Sequence, residues 1–277
     1  MRLSTLLWGL CGSTVALFAA GPALAGDPQP PAGMQRYPTA YVDRPLTLPG
    51  FTLSPDVSFD ATQAVKDPNS ATKTLETNLA FSTGAAFGIT HDLEVRASLG
   101  TLRVSPKFQY SEPRLGATFR FVGSEKFQMG VHAEATALFD PGAGGARFEL
   151  SLPMLGRLGS SVRIDLAPGA PVTIQENKAT TFGVNLPVAL AFQVVDAVHL
   201  GARTSMTITD FNDPLANMVI PLGFFGGVSL GSEKPIVEID PYFTWTDFAR
   251  PGATGSNDKV SIDKFSAGLT ARLYLYL

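Results

Sequence analysis

The chain has 277 residues, a formal net charge of −3 and a single cysteine, with 45% hydrophobic and 16% charged residues. So mild a charge argues against nucleic acid as a partner. One cysteine excludes a disulfide framework, and because Cys11 lies in the first apolar run, the exported form should carry no thiol chemistry at all.

Residues 1–25 read as a secretory signal peptide. Arg2 supplies the charge, Leu3 to Ala20 is largely apolar, and Ala23-Leu24-Ala25 is a small-x-small cleavage site. Gly21-Pro22 breaks the run short of a bilayer span. Cleavage would remove one of the 21 basic residues and leave 20 against 24 acidic, a charge of −4. Residues 26–44 are rich in proline (Pro28, Pro30, Pro31, Pro38) and lack periodicity, which predicts an extended periplasmic lead-in.

From residue 45 to 277 the pattern changes to period two. Alternating segments are read at 46–61, 75–89, 93–101, 114–122, 127–139, 147–154, 161–166, 181–194, 198–208, 218–230, 236–248 and 265–277. In the last of these, Phe265, Ala267, Leu269, Ala271, Leu273, Leu275 and Leu277 share one face, and Ser266, Thr270 and Arg272 lie on the other. The links alternate too. Thr90-His91-Asp92, Gly123–Lys126, Leu158–Ser160, Val195–Ala197 and Gly231–Pro235 are tight, while 62–74, 103–113, 140–146, 168–180, 209–217 and 249–262 are longer and polar.

No apolar stretch after the signal is long enough for a membrane helix, and a closed barrel is the only other structure that satisfies its backbone in lipid. The sequence therefore predicts an all-β fold, an antiparallel up-and-down transmembrane β-barrel of about 12 strands. Short periplasmic turns would face one side and longer exterior loops the other. The arginines agree with this. Arg96, Arg114, Arg120, Arg147, Arg163, Arg203 and Arg272 all fall on the polar parity of their segments. An arginine on the lipid face at mid-bilayer costs about 2–4 kcal/mol, so all seven must point into the lumen.

The signal, the strand count and the terminal alternating strand resemble Gram-negative outer-membrane β-barrel proteins. Phe87-Gly-Ile-Thr-His-Asp-Leu-Glu-Val95 and Val194-Val-Asp-Ala-Val-His-Leu-Gly-Ala202 are similar to turns in porin-like putative transporters, including those linked to uptake of aromatic compounds. The resemblance implies outer-membrane lipid as surroundings and contact with the barrel-assembly machinery through the C-terminal strand. Such proteins usually end in Phe or Trp, and this sequence ends in Leu277.

The lumen is the functional lead. Glu94, Arg96, Arg114, Arg120, His132, Glu134, Arg147, Glu149, Arg163, Asp165, Arg203, Glu238, Asp240 and Arg272 are expected to line it, as a charged path for a small-molecule solute or as an ion-pair lattice that fills the bore. The expected function is a porin-like channel for passive passage of small solutes. The alternatives are a structural or surface-interaction barrel with a closed lumen, and a membrane hydrolase. For the last, none of His91, His132 and His199 has a serine two residues on. His132 and Glu134 share a face about 7 Å apart by strand rise, and read as a hydrogen-bonded pair within the lumen. No catalytic residue, metal site or cofactor is assigned. Asp56/Asp60 and Glu238/Asp240 are acidic pairs that read as salt-bridge partners of the arginines.

Overall fold

The computed structural model describes residues 37–277 apart from 66–74, 106–107, 141–142, 232–233, 253–259, 261 and 263. The signal-peptide reading and the first part of the lead-in lie outside the described residues.

Twelve antiparallel strands close into one barrel. They are β1 (Thr52–Val65), β2 (Leu75–Gly88), β3 (Leu93–Ser105), β4 (Gln109–Ser111 and Arg114–Gly123), β5 (Phe127–Asp140) and β6 (Ala143–Ser151 and Met154–Leu158). There follow β7 (Val162–Leu166 and Gly169–Gln175), β8 (Thr181–Phe182 and Val184–Val195), β9 (Val198–Ile208), β10 (Met218–Leu230), β11 (Val237–Ala249) and β12 (Phe265–Leu273 and Leu275–Tyr276). Each strand pairs with its neighbours in sequence, and β1 pairs with both β2 and β12, so no edge is left open. Three interruptions fall at Pro113, Pro153 and Pro168, residues with no N–H to donate to a ladder. The ladder resumes at once, with the Ala137, Gly130 and Leu152 amides donating to the carbonyls of those three prolines.

The two faces sort as the arginines required. Val57, Phe59, Phe81, Leu115, Phe119, Leu200, Phe224 and Leu269 are exposed on the outer face, an apolar belt around the cylinder. Their alternating neighbours, among them Asp56, Ser58, Arg96, Arg120 and Thr270, face inward. Among the described residues no helix is long and apolar enough to cross a membrane; the strands do the crossing.

Several boundaries differ from the sequence reading. The 168–180 link contains Gly169–Gln175, which pairs with β6 from Ser151 to Gly145. Its outward residues Ala170, Val172 and Ile174 are a proper alternation, masked in the sequence by Pro168 and Pro171. Likewise Ser105 ends β3 and Gln109–Ser111 belongs to β4, inside the expected 103–113 link. The first strand begins at Thr52 rather than 46. The chain turns sharply before it: Phe51 has φ 58°, a left-handed backbone that only local over-determination holds for a bulky residue. That turn sends Tyr37–Gly50 across the inside of the short-turn end. The described end of the lead-in is therefore compact, with a 3₁₀ turn at Tyr41–Asp43, where the sequence suggested extended chain.

Candidate functional site

The inner segment is held by side chains and turns from β2–β3 round to β12. Its own amides donate to luminal acceptors: Val42 N to Gln193 Oε1 at 3.1 Å, Leu46 N to Gln128 Oε1 at 2.8 Å and Leu48 N to Glu94 Oε2 at 2.8 Å. Its carbonyls accept from luminal arginines: Val42 O and Arg44 O from Arg157, and Tyr41 O and Arg44 O from Arg163. Apart from Tyr41 O, which also accepts from Arg44 N in the 3₁₀ turn, these are backbone groups with no helix or sheet partner, so the barrel wall supplies one. Tyr37, Leu48, Ala86 and Tyr274 make the small apolar core beneath.

Arg44 is the centre of this contact. Its guanidinium is 2% exposed and donates to Glu238 Oε1 at 2.6 Å, Ser229 Oγ at 2.6 Å, and the carbonyls of Pro38 and Thr39. The rings of Tyr37, Tyr41 and Tyr274 surround it at 5.2, 5.7 and 5.8 Å, a cation–π arrangement in a desolvated setting. Tyr41 also stacks on His199 at 4.2 Å and lies 4.7 Å under Arg163. Burial pushes the Tyr37 phenol up to about 12 and raises that of Tyr41 as well.

The sequence-expected charges divide by height. Nearest the short turns they are paired. Arg163 meets Asp165 at 2.8 Å, Arg120 meets Asp92 at 2.7 Å, and Arg272 bridges Asp240 and Glu238. Glu94 holds the inner segment. Glu238 is fully buried. Higher in the bore the groups are wet. The side chains of Arg96 and Arg114 are 45% and 41% exposed, with Arg96 on Asp56 at 2.8 Å and Arg114 on Glu112 at 3.1 Å. His132 accepts or donates at Thr118 Oγ1, 2.9 Å from its Nδ1, and its Nε2 stands 3.9 Å from Glu134. Arg203 bonds Thr244 Oγ1 at 2.9 Å and lies over the Tyr242 ring at 4.7 Å. Beside it is a cavity of about 360 Å³, bordered by Asp165, Ala189, Ser205 and Thr244 from three other luminal faces and its own strand. Arg147 and Glu149, on the inward parity of β6, have no ion-pair partners among the described residues.

His199, Glu238 and Asp240 bring ligand-type atoms within 4.8 Å of one another. Both Glu238 oxygens already accept, one from Arg44 and one from Tyr274, and Arg272 holds Asp240. Arg44 and Arg272 thus already pair with both carboxylates of this cluster. Ser151 stands opposite His132 in the ladder, but His132 leans the other way, onto Gly116 and Thr118, so the Ser–His contact of a serine hydrolase does not form.

The sequence reading missed Arg44 and Arg157. Arg44 belonged to a segment without periodicity, and Arg157 sat beside a tight turn. The signal that remained was Tyr37 to Arg44 itself, where two aromatics and an arginine lie within eight residues, upstream of the first strand's approach.

No family model and no curated protein matches the sequence. Solved structures do share the fold. The NanC porin superposes with a TM-score of 0.57 at 7% identity, covering 80% of this chain and 100% of that one. An outer membrane channel from Pseudomonas putida F1 gives 0.59 at 12%, covering 91% and 100%. The translocator domain of the autotransporter NalP from Neisseria meningitidis gives 0.50 at 10%, covering 82% and 89%. At these identities the likeness is one of fold. It is the outer-membrane β-barrel fold, and the apolar belt is the part such a barrel sets in lipid.

Proposed function

We propose that this outer-membrane barrel is a narrow channel through which small solutes diffuse, constricted at the short-turn mouth by Tyr37–Gly50. The observation that carries the reading is the change in solvation along the bore. Arginines at its upper levels stand in water, while those under the inner segment are buried and paired. Charge left solvated inside a cylinder defines a wet vestibule, and charge sets which solutes enter it. The structural neighbours that are a porin and an outer membrane channel support the same reading through their shared fold. The chemistry of the bore favours passage over catalysis, because among the described residues no serine hydroxyl is hydrogen-bonded to a luminal histidine.

The inner segment packed across the short-turn end favours a second reading, a closed barrel acting through its exterior loops. Conductance across a planar lipid bilayer separates the two. Discrete ion steps from the reconstituted protein are expected; a stably inserted barrel that passes no current sinks the channel.

A further inference from the structure

Luminal arginines elsewhere are engaged by neighbours, and one contrast is informative. On β7, Arg163 and Asp165 are two residues apart on one face and pair at 2.8 Å. On β6, Arg147 and Glu149 have the same spacing and the same inward parity, yet among the described residues neither makes an ion pair or a side-chain hydrogen bond. The Arg147 Nε is buried with no partner.

The ladder register sets these two in rows. Arg114 on β4, Thr136 on β5 and Arg147 on β6 are directly aligned. Gly116, Glu134 and Glu149 form the next row toward the short turns. By strand rise the rows are about 7 Å apart, and neighbouring strands are about 4.8 Å apart. Glu134 and Glu149 are thus direct cross-strand neighbours, a placement in which like charges repel. They lean to opposite sides. Glu134 turns to His132 and accepts from Thr136 Oγ1 at 3.3 Å, while Glu149 lies over Gly169, where a Cβ would come within 2.8 Å of its Oε1.

We propose that these two rows form a binding site for a small zwitterion, an amino acid or short peptide. Its carboxylate meets Arg114 and Arg147, and its ammonium meets Glu134 and Glu149. A simple anion gains from the guanidinium row and is repelled by the carboxylates next to it. A simple cation meets the reverse. A solute bearing both charges a few ångströms apart gains from both rows at once. This rests on the channel reading and names its solute class. The site must be weak, since a path that binds tightly does not conduct.

Liposome swelling with the full chain tests it, using glycylglycine as the zwitterion and N-acetylglycinamide as a neutral amide of similar size. Glycylglycine should enter about threefold faster, the worth of one solvated ion pair. R147Q and E149Q should each bring the ratio toward one, and the neutral amide's own rate should hold. That rate also certifies that each variant is folded and open. A ratio that both variants leave unchanged overturns the site while the channel stands. If neither solute enters, the channel reading itself fails, and this inference with it.

Discussion

Replacing Arg44 with alanine should release the inner segment. The change removes the 2.6 Å contacts to Glu238 and Ser229 and empties the space among three tyrosine rings. Breaking one side of a buried ion pair costs about 3–5 kcal/mol, because the other charge stays buried. Here Arg272 remains 3.5 Å from Glu238 and Tyr274 still donates to it, which places the loss at the low end, about 3 kcal/mol. At 1.4 kcal/mol per power of ten, the ratio of released to docked segment should rise about a hundredfold. Single-channel recording reads this as a larger fraction of time in the high-conductance level. Arg44→Lys, which keeps the charge and loses the planar fork, should fall between. The reasoning fails if Arg44→Ala forms a folded barrel, judged by heat-modifiable electrophoretic mobility, whose open fraction equals that of the unaltered protein.

Two further expectations follow from burial. The Tyr37 phenol is pushed up to about 12 from 10 by desolvation, so its raised value favours the neutral, docked form. Below pH 10 docked and released segments are both neutral and docking does not change; between pH 10 and 12 the released phenol ionises first and docking weakens, by at most about 2.7 kcal/mol. An absorbance titration of tyrosinate should lose a late-titrating phenol in Tyr37→Phe, and loss of one that titrates near 10 would contradict the burial. On the outside, Leu269→Arg places a charge on the belt between Phe59 and Pro241 and should cost about 2–4 kcal/mol in urea unfolding from lipid vesicles. Thr270→Arg, one residue on and facing the bore, should cost clearly less; equal losses would mean the two faces are misassigned.

The period-two alternation of Phe265 to Leu277, and the polar parity of all seven strand arginines, were enough to dictate a closed cylinder with its charges inside. That is a local property: a side chain's face follows from its position in the strand and from what lipid will accept on the other side. Even the piece of β7 hidden behind Pro168 and Pro171 carries its outward Ala170, Val172 and Ile174 in plain view. What alternation could not convey is height and partner. Arg147 and Arg163 look alike in sequence, each two residues from a carboxylate on its own strand; only the stagger of the closed ladder sets one in the row of Arg114 and the other against the carbonyls of Tyr41 and Arg44. The fate of Tyr37–Gly50 was hidden for the same reason. A segment with no period has no local preference, and its place is chosen by acceptors and donors on strands more than a hundred residues away, such as Gln193 for Val42 and Glu238 for Arg44. Those groups come together only once the barrel has closed.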